Sequence, residues 1–105
     1  MAVITLIRPQ TTSGSSAVIS TLNYERFYIV GSVLATTETV TVNTILPDSV
    51  PAVATQDVNN ATGLTATNPT RVYFGGPDIQ VSKSATAGLC GVYLIPVGNG
   101  MGGLS

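Results

Sequence analysis

Histidine is absent from this chain, and cysteine and lysine occur once each. Without histidine, the commonest general base and the commonest transition-metal ligand are both missing. The single cysteine, Cys90, allows no internal disulfide and no structural zinc site, and a buried small hydrophobe is its simplest role. Charge is scarce too. Asp, Glu, Lys and Arg make up 9% of residues, against roughly 25% in an ordinary soluble domain. The net charge is −1, with no basic cluster, which argues against a phosphate-reading nucleic-acid binder and a polybasic membrane anchor.

Long apolar runs are also missing. The longest nearly apolar stretch, residues 89–97, is far short of the ~20 residues a spanning helix needs. The opening Met1-Ala2-Val3-Ile4-Thr5-Leu6-Ile7-Arg8-Pro9 does not read as a signal peptide. Its apolar run is short, is broken by Thr5, and carries its positive charge after the run instead of before it. These features predict a protein made in the cytoplasm that leaves the cell, if at all, by lysis.

What is present points to strands. The 105 residues suit one domain, and 44% apolar residues suffice for one core. Thirteen Val and fifteen Thr make the chain heavily β-branched, whereas good helix formers such as Lys, Arg and Glu are few. Period-2 alternation is clearest in Glu38-Thr39-Val40-Thr41-Val42-Asn43 and again in Asp78-Ile79-Gln80-Val81-Ser82-Lys83. In Gly91-Val92-Tyr93-Leu94-Ile95 both faces are apolar, which suits a central strand or one whose outer face meets a partner. Candidate strands are 2–7, 17–22, 26–34, 38–46, 51–56, 62–67, 70–74, 78–83 and 90–97. Leu46-Pro47-Asp48-Ser49 and Gly75-Gly76-Pro77-Asp78 read as turns. Ala85-Thr86-Ala87-Gly88 is short enough to join 78–83 and 90–97 as an antiparallel hairpin. The expected fold is all-β, an antiparallel sandwich or small barrel of about eight short strands with flexible termini. Residues 1–16 read as an N-terminal strand and flexible linker, 17–97 as the domain, and 98–105 as a Gly-rich tail.

Catalytic motifs do not assemble. The carboxylates Glu25, Glu38, Asp48, Asp57 and Asp78 are scattered. Asp48 and Asp57 are read as turn caps in preference to calcium ligands. Ser82-Lys83-Ser84 suggests a Ser/Lys nucleophile, but neighbours on a strand point to opposite faces. Lys83 is then expected to be a solvated strand end or an edge gatekeeper. Gly98-Asn99-Gly100-Met101-Gly102-Gly103 matches G-x-G-x-x-G formally, yet no helix can follow it to hold a pyrophosphate. Asn60-Ala61-Thr62 is a glycosylation sequon with no secretory route to use it. The expectation is no enzyme, no cofactor and no metal.

A surface of Thr, Ser, Asn and Gly is cheap to desolvate, whereas unpaired charges are not, so it suits a domain packed against other protein. Tyr and Arg most often anchor such contacts. Candidate interface residues are Arg8, Tyr24, Arg26, Tyr28, Arg71 and Tyr73. Alternation puts Arg26 with Tyr28, and Arg71 with Tyr73, on faces opposite the core. The blander assignment has Phe27 and Phe74 filling the core, with the tyrosines at sheet margins.

The stretch Gly75-Gly76-Pro77-Asp78-Ile79-Gln80-Val81-Ser82-Lys83-Ser84-Ala85-Thr86-Ala87-Gly88-Leu89-Cys90-Gly91-Val92-Tyr93-Leu94 resembles the closing hairpin of small β-rich virion proteins of tailed bacteriophages. Capsid decoration (cement) proteins are the nearest of these in size and character. The resemblance covers about a fifth of the chain and implies a β-sandwich or barrel on the outer capsid surface. As a trimer or dimer, it would rivet neighbouring major capsid protein subunits. In that setting residues 1–8 and 98–105 would act as arms that add strands to a neighbour's sheet. Rival readings are a head-fibre, tail or adaptor domain, a carbohydrate-binding module stacking sugars on Tyr24, Tyr28 and Tyr73, and a hydrolase using Ser82 or Ser84 with Lys83.

Overall fold

The computed structural model describes residues 3–48 and 50–98. Nine antiparallel strands form two sheets, and no helix occurs among the described residues. They are β1 (Ile4–Gln10), β2 (Gly14–Ser15), β3 (Ile19–Ser20), β4 (Arg26–Gly31), β5 (Val40–Thr44), β6 (Val53–Ala54), β7 (Thr70–Phe74), β8 (Asp78–Lys83) and β9 (Cys90–Val97). The first sheet runs β1-β9-β4-β7, and the second runs β2-β8-β5-β6 with β3 also paired to β8. The fold is an all-β sandwich.

Side-chain alternation builds the core. In β4, Phe27 and Ile29 face inward; in β9, Cys90, Val92 and Leu94 do so; in β5, Val40 and Val42; in β8, Ile79 and Val81. These meet in one buried cluster with Ile7, Leu64 and Tyr73. The rings of Phe27 and Tyr73 lie opposite one another in the β4–β7 register and stack, with centroids 5.4 Å apart. Cys90 is a buried thiol, and burial pushes its pKa up, as expected of a small hydrophobe.

Several expectations are corrected. Residues 78–83 and 90–97 do not form a hairpin, because β8 and β9 belong to different sheets and residues 84–89 cross between them. Short spacing allows a hairpin but does not require one. Here β9 spends both of its edges on β1 and β4, while β8 pairs with β5, β2 and β3. Residues 62–67 form no strand and contribute only single bridges, Gln56↔Thr62 and Val40↔Leu64. Gly63 at φ +75° breaks the run, and Thr65 turns onto Asn68. Residues 9–16, expected as a flexible linker, are tied in by the end of β1, by β2, and by the buried Ser16. The strand in 1–8 pairs within its own sheet. Of the expected Gly-rich tail, Asn99 to Ser105 lie outside the described residues.

The turn after β7 interlocks with the loop before β4. Thr21 Oγ1 donates to Pro77 O at 2.6 Å and accepts from Gly76 N at 3.0 Å, while Gly75 N donates to Glu25 O. A Cβ on Gly75 would sit 1.8 Å from Tyr24 O, so the backbones approach as only glycine permits. Gly75→Ala should therefore destabilise the fold by about 3 kcal/mol, read as a lowered urea midpoint at unchanged slope.

Candidate functional site

The two outward faces of the sandwich differ in chemistry. On the second sheet, Ser15, Ser82 and Thr41 lie abreast, followed by Gln80, Asn43 and Ala54, then Asp78 and Ser20. This is the polar exterior that antiparallel sheets usually show to water. Ser15 Oγ and Ser82 Oγ bond each other across it at 3.1 Å.

The first sheet breaks that rule. Register places Thr70, Val30, Tyr93 and Thr5 in one outer row, Val72, Tyr28 and Ile95 in the next, and Phe74, Arg26 and Val97 in the third. Seven of these ten side chains are aliphatic or aromatic, and only Arg26 is charged. Phe74 is 58% exposed and Tyr28 37%. The Arg26 guanidinium lies over the Phe74 ring, 5.8 Å from its centroid, so the charge covers an aromatic edge of the patch. Strand spacing and rise give this patch a footprint of roughly 300 Å², the size at which exposed apolar patches often serve contacts. A stable pairwise interface needs about 800 Å² per partner, so one such face alone makes a weak contact.

The six expected interface residues divide. Arg26 and Tyr28 sit on the apolar face, as alternation requires. Arg8 is exposed on β1, within the second irregular stretch of its pairing with β9, between Ile7 and Gln10. Tyr24 is half-buried against the core. Arg71 and Tyr73, expected to face outward, point inward. Their strand, Thr-Arg-Val-Tyr-Phe, can be inserted either way by alternation. The pairing of Phe27 with Tyr73 and of Arg26 with Phe74 decides it. Phe74 thus leaves the core and Tyr73 fills it, reversing the assignment made from composition. A stacking platform of Tyr24, Tyr28 and Tyr73 does not form, because Tyr73 is fully buried. The contributions of Val72 and Phe74 on β7 and of Ile95 and Val97 on β9 were missed, although the two-sided apolar run in β9 signalled Ile95.

Arg71 is consumed internally. It donates to Asp57 Oδ2 at 3.1 Å and, through Nε, to Gly63 O. Asp57 Oδ1 accepts from Asn59 N at 2.8 Å and Ala61 N at 2.9 Å, so Asp57 is the turn cap expected. Burial alone would raise the Asp57 carboxyl, but the Ala61 and Asn59 amides and Arg71 together hold it below the ordinary value.

Lys83 is not solvated. It is 4% exposed, and its ammonium donates to Gln10 O at 3.1 Å, Thr12 O at 2.7 Å and Thr86 Oγ1 at 3.2 Å. All three N–H bonds of the ammonium are thereby used. Ser84 Oγ bonds Thr39 O, and Ser82 lies on the outer face, so no serine is set against this amine. Glu38 accepts from Ala35 N at 2.8 Å and Ala87 N at 2.7 Å. Those amides hold its carboxyl below the usual range, burial opposes them, and the Lys83 charge adds to them. Among the described residues there is no pocket, and no group of three or more His, Cys, Asp or Glu side chains that could hold a metal.

Comparison with family models, with curated proteins and with solved structures finds no match to this chain.

Two outcomes follow. The hydroxyl of Tyr73 is buried with no hydrogen-bond partner, and its pKa is pushed up to about 12 by burial. Tyr73→Phe should leave stability unchanged or raise it by about 1 kcal/mol, measured by chemical denaturation. Glu38 and Asp57 are more acidic folded than unfolded, so their contribution is complete above the ordinary values of 4.5 and 3.8. It is lost as pH falls through the lowered folded values. The thermal midpoint should therefore begin to drop below about pH 4.5, and Glu38→Gln or Asp57→Asn should each flatten that drop.

Proposed function

We propose that this chain is a structural virion protein, a capsid decoration protein that packs the outer face of its first sheet against protein subunits of a viral shell. The observation that carries the reading is the contrast between the two outer faces. One is hydroxyl- and amide-rich; the other is apolar, with a single charge at its edge. Uncharged apolar surface is stabilised by desolvation against another protein, and little polar surface must be stripped of water to do so. A footprint too small for tight pairwise binding suits a repeating lattice, where many weak contacts act together. The resemblance of residues 75–94 to phage virion proteins adds the shell as partner. It rests on wording alone, since the two strands it spans lie in different sheets.

In this reading the partner is the major capsid protein, the location is the outer capsid surface, and the chain works as a homo-oligomer on the lattice. A head-fibre, tail or adaptor part would use the same face against another virion surface.

Co-sedimentation with undecorated shells tests the reading. Saturable binding at a fixed ratio to capsid subunits, with raised heat resistance of the shell, is expected. Tyr28→Asp or Ile95→Asp should abolish it by placing an unpaired charge in the contact. Asn43→Asp, on the polar face of the second sheet, should leave it intact. Shells that pellet without the chain would move the reading to another virion part.

A further inference from the structure

Residues 32–39 connect β4 to β5, and residues 84–89 cross from β8 to β9. Three anchors without a carboxylate pin these connections. Ser32 N donates to Gly91 O at 3.0 Å, and Ser32 Oγ accepts from Gly91 N at 3.0 Å. Ser84 N donates to Thr39 O at 3.3 Å. Thr86 N donates to Thr11 O at 2.8 Å, and Thr86 Oγ1 accepts from Lys83 Nζ at 3.2 Å. Beyond the anchors, the carboxylate of Glu38 joins one connection to the other. Its Oε1 accepts from Ala35 N at 2.8 Å and its Oε2 from Ala87 N at 2.7 Å, so each oxygen serves one connection.

Apolar burial does little to hold the same parts together. Glu38 is the one buried residue of 32–39, and Thr86 the one buried residue of 84–89. Leu34 is half-buried, whereas Val33, Ala35, Ala87 and Leu89 are exposed. Segments with so little buried apolar surface open at the low end of a protein's stability range. A carboxylate accepts through both oxygens, but a protonated carboxyl turns one of them into a donor. Either Ala35 N or Ala87 N must then lose its acceptor.

We propose that Glu38 is an acid-released latch, whose protonation frees residues 33–37 from 87–89 while both sheets stay folded. Asp57, the other buried carboxylate, cannot act in this way, because its amide donors Asn59 and Ala61 belong to its own loop. The ionisable groups that act on Glu38 are Lys83 from β8 and the Cys90 thiol from β9. Residues 11–13, 32–37 and 84–89 carry none, and neither does β5. Burial keeps Cys90 an uncharged thiol in acid. The Ala35 and Ala87 amides, ahead of the Lys83 charge, favour the carboxylate. The latch is therefore fully held above the ordinary value of 4.5 and released as pH falls below it. The device requires no partner and stands apart from the shell reading.

Amide hydrogen exchange followed by NMR from pH 7 to pH 3, each rate referred to its intrinsic value at that pH, tests the latch. Ala35 and Ala87 should be less protected than the amides of β5 and β9 at every pH. Protection at one or both should fall about tenfold by pH 3, as one hydrogen bond to a charged group is lost, while β5 and β9 remain protected. Glu38→Gln, which puts an amide donor where one oxygen stood, should give the low protection at all pH values and remove the fall. Asp57→Asn should leave the fall in place. Ala35 and Ala87 exchanging only together with β5 and β9 would overturn the proposal, since they would then open only with the whole molecule. Protection that does not fall with pH, or a fall that survives in Glu38→Gln, would overturn it as well. The pH series uses the unaltered chain, so it decides the matter even where a variant fails to fold.

Discussion

Both backbone edges of β9 are hydrogen-bonded, to β1 on one side and β4 on the other, and most of the architecture follows from that constraint. A strand used on both edges cannot also close a hairpin with the strand before it. The chain between β8 and β9 must therefore cross from one sheet to the other. That crossing brings residues 84–89 against the loops that leave β1 and β4, and it sets Cys90, Val92 and Leu94 at the centre of the core. The same strand then has Tyr93, Ile95 and Val97 on its other side, and these form the backbone of the apolar outer face.

Scarce charge is used inside the protein as well as withheld from its surface. Lys83 and Glu38 do not meet as an ion pair; each is satisfied by neutral backbone and hydroxyl groups instead. An ammonium with three acceptors and a carboxylate with two amide donors tolerate burial because charge-assisted hydrogen bonds replace their water. Arg71 and Asp57 do pair, at 3.1 Å, and together with backbone groups they clasp the 57–63 loop. Four of the nine charged side chains thus serve as internal clasps, and this leaves the exterior still less charged than the composition suggests.

An exterior of this kind favours association. The polar face of the second sheet can remain in water indefinitely, whereas the apolar face of the first gains by being covered. Its small footprint makes only a weak pairwise contact by itself.

Sequence alone determined the strand class, because β-branched residues at period 2 can bury one face only as a pleated strand. It also located β4, β5, β7, β8 and β9 to within a few residues, and it identified β9 as two-sided. Arg26 and Tyr28 were legible as outward residues because the alternation of Phe27 and Ile29 leaves no other choice. Tertiary structure decided what alternation leaves open. Arg71-Val72-Tyr73-Phe74 has a bulky group at nearly every position, so only the register with β4 settles that Tyr73 enters the core and Phe74 leaves it. Lys83 reads as a surface residue until the carbonyls of Gln10 and Thr12, some seventy residues earlier, are brought to it. Period and composition are local properties of the chain; pairing partners and buried acceptors come from distant segments, and only folding brings them together.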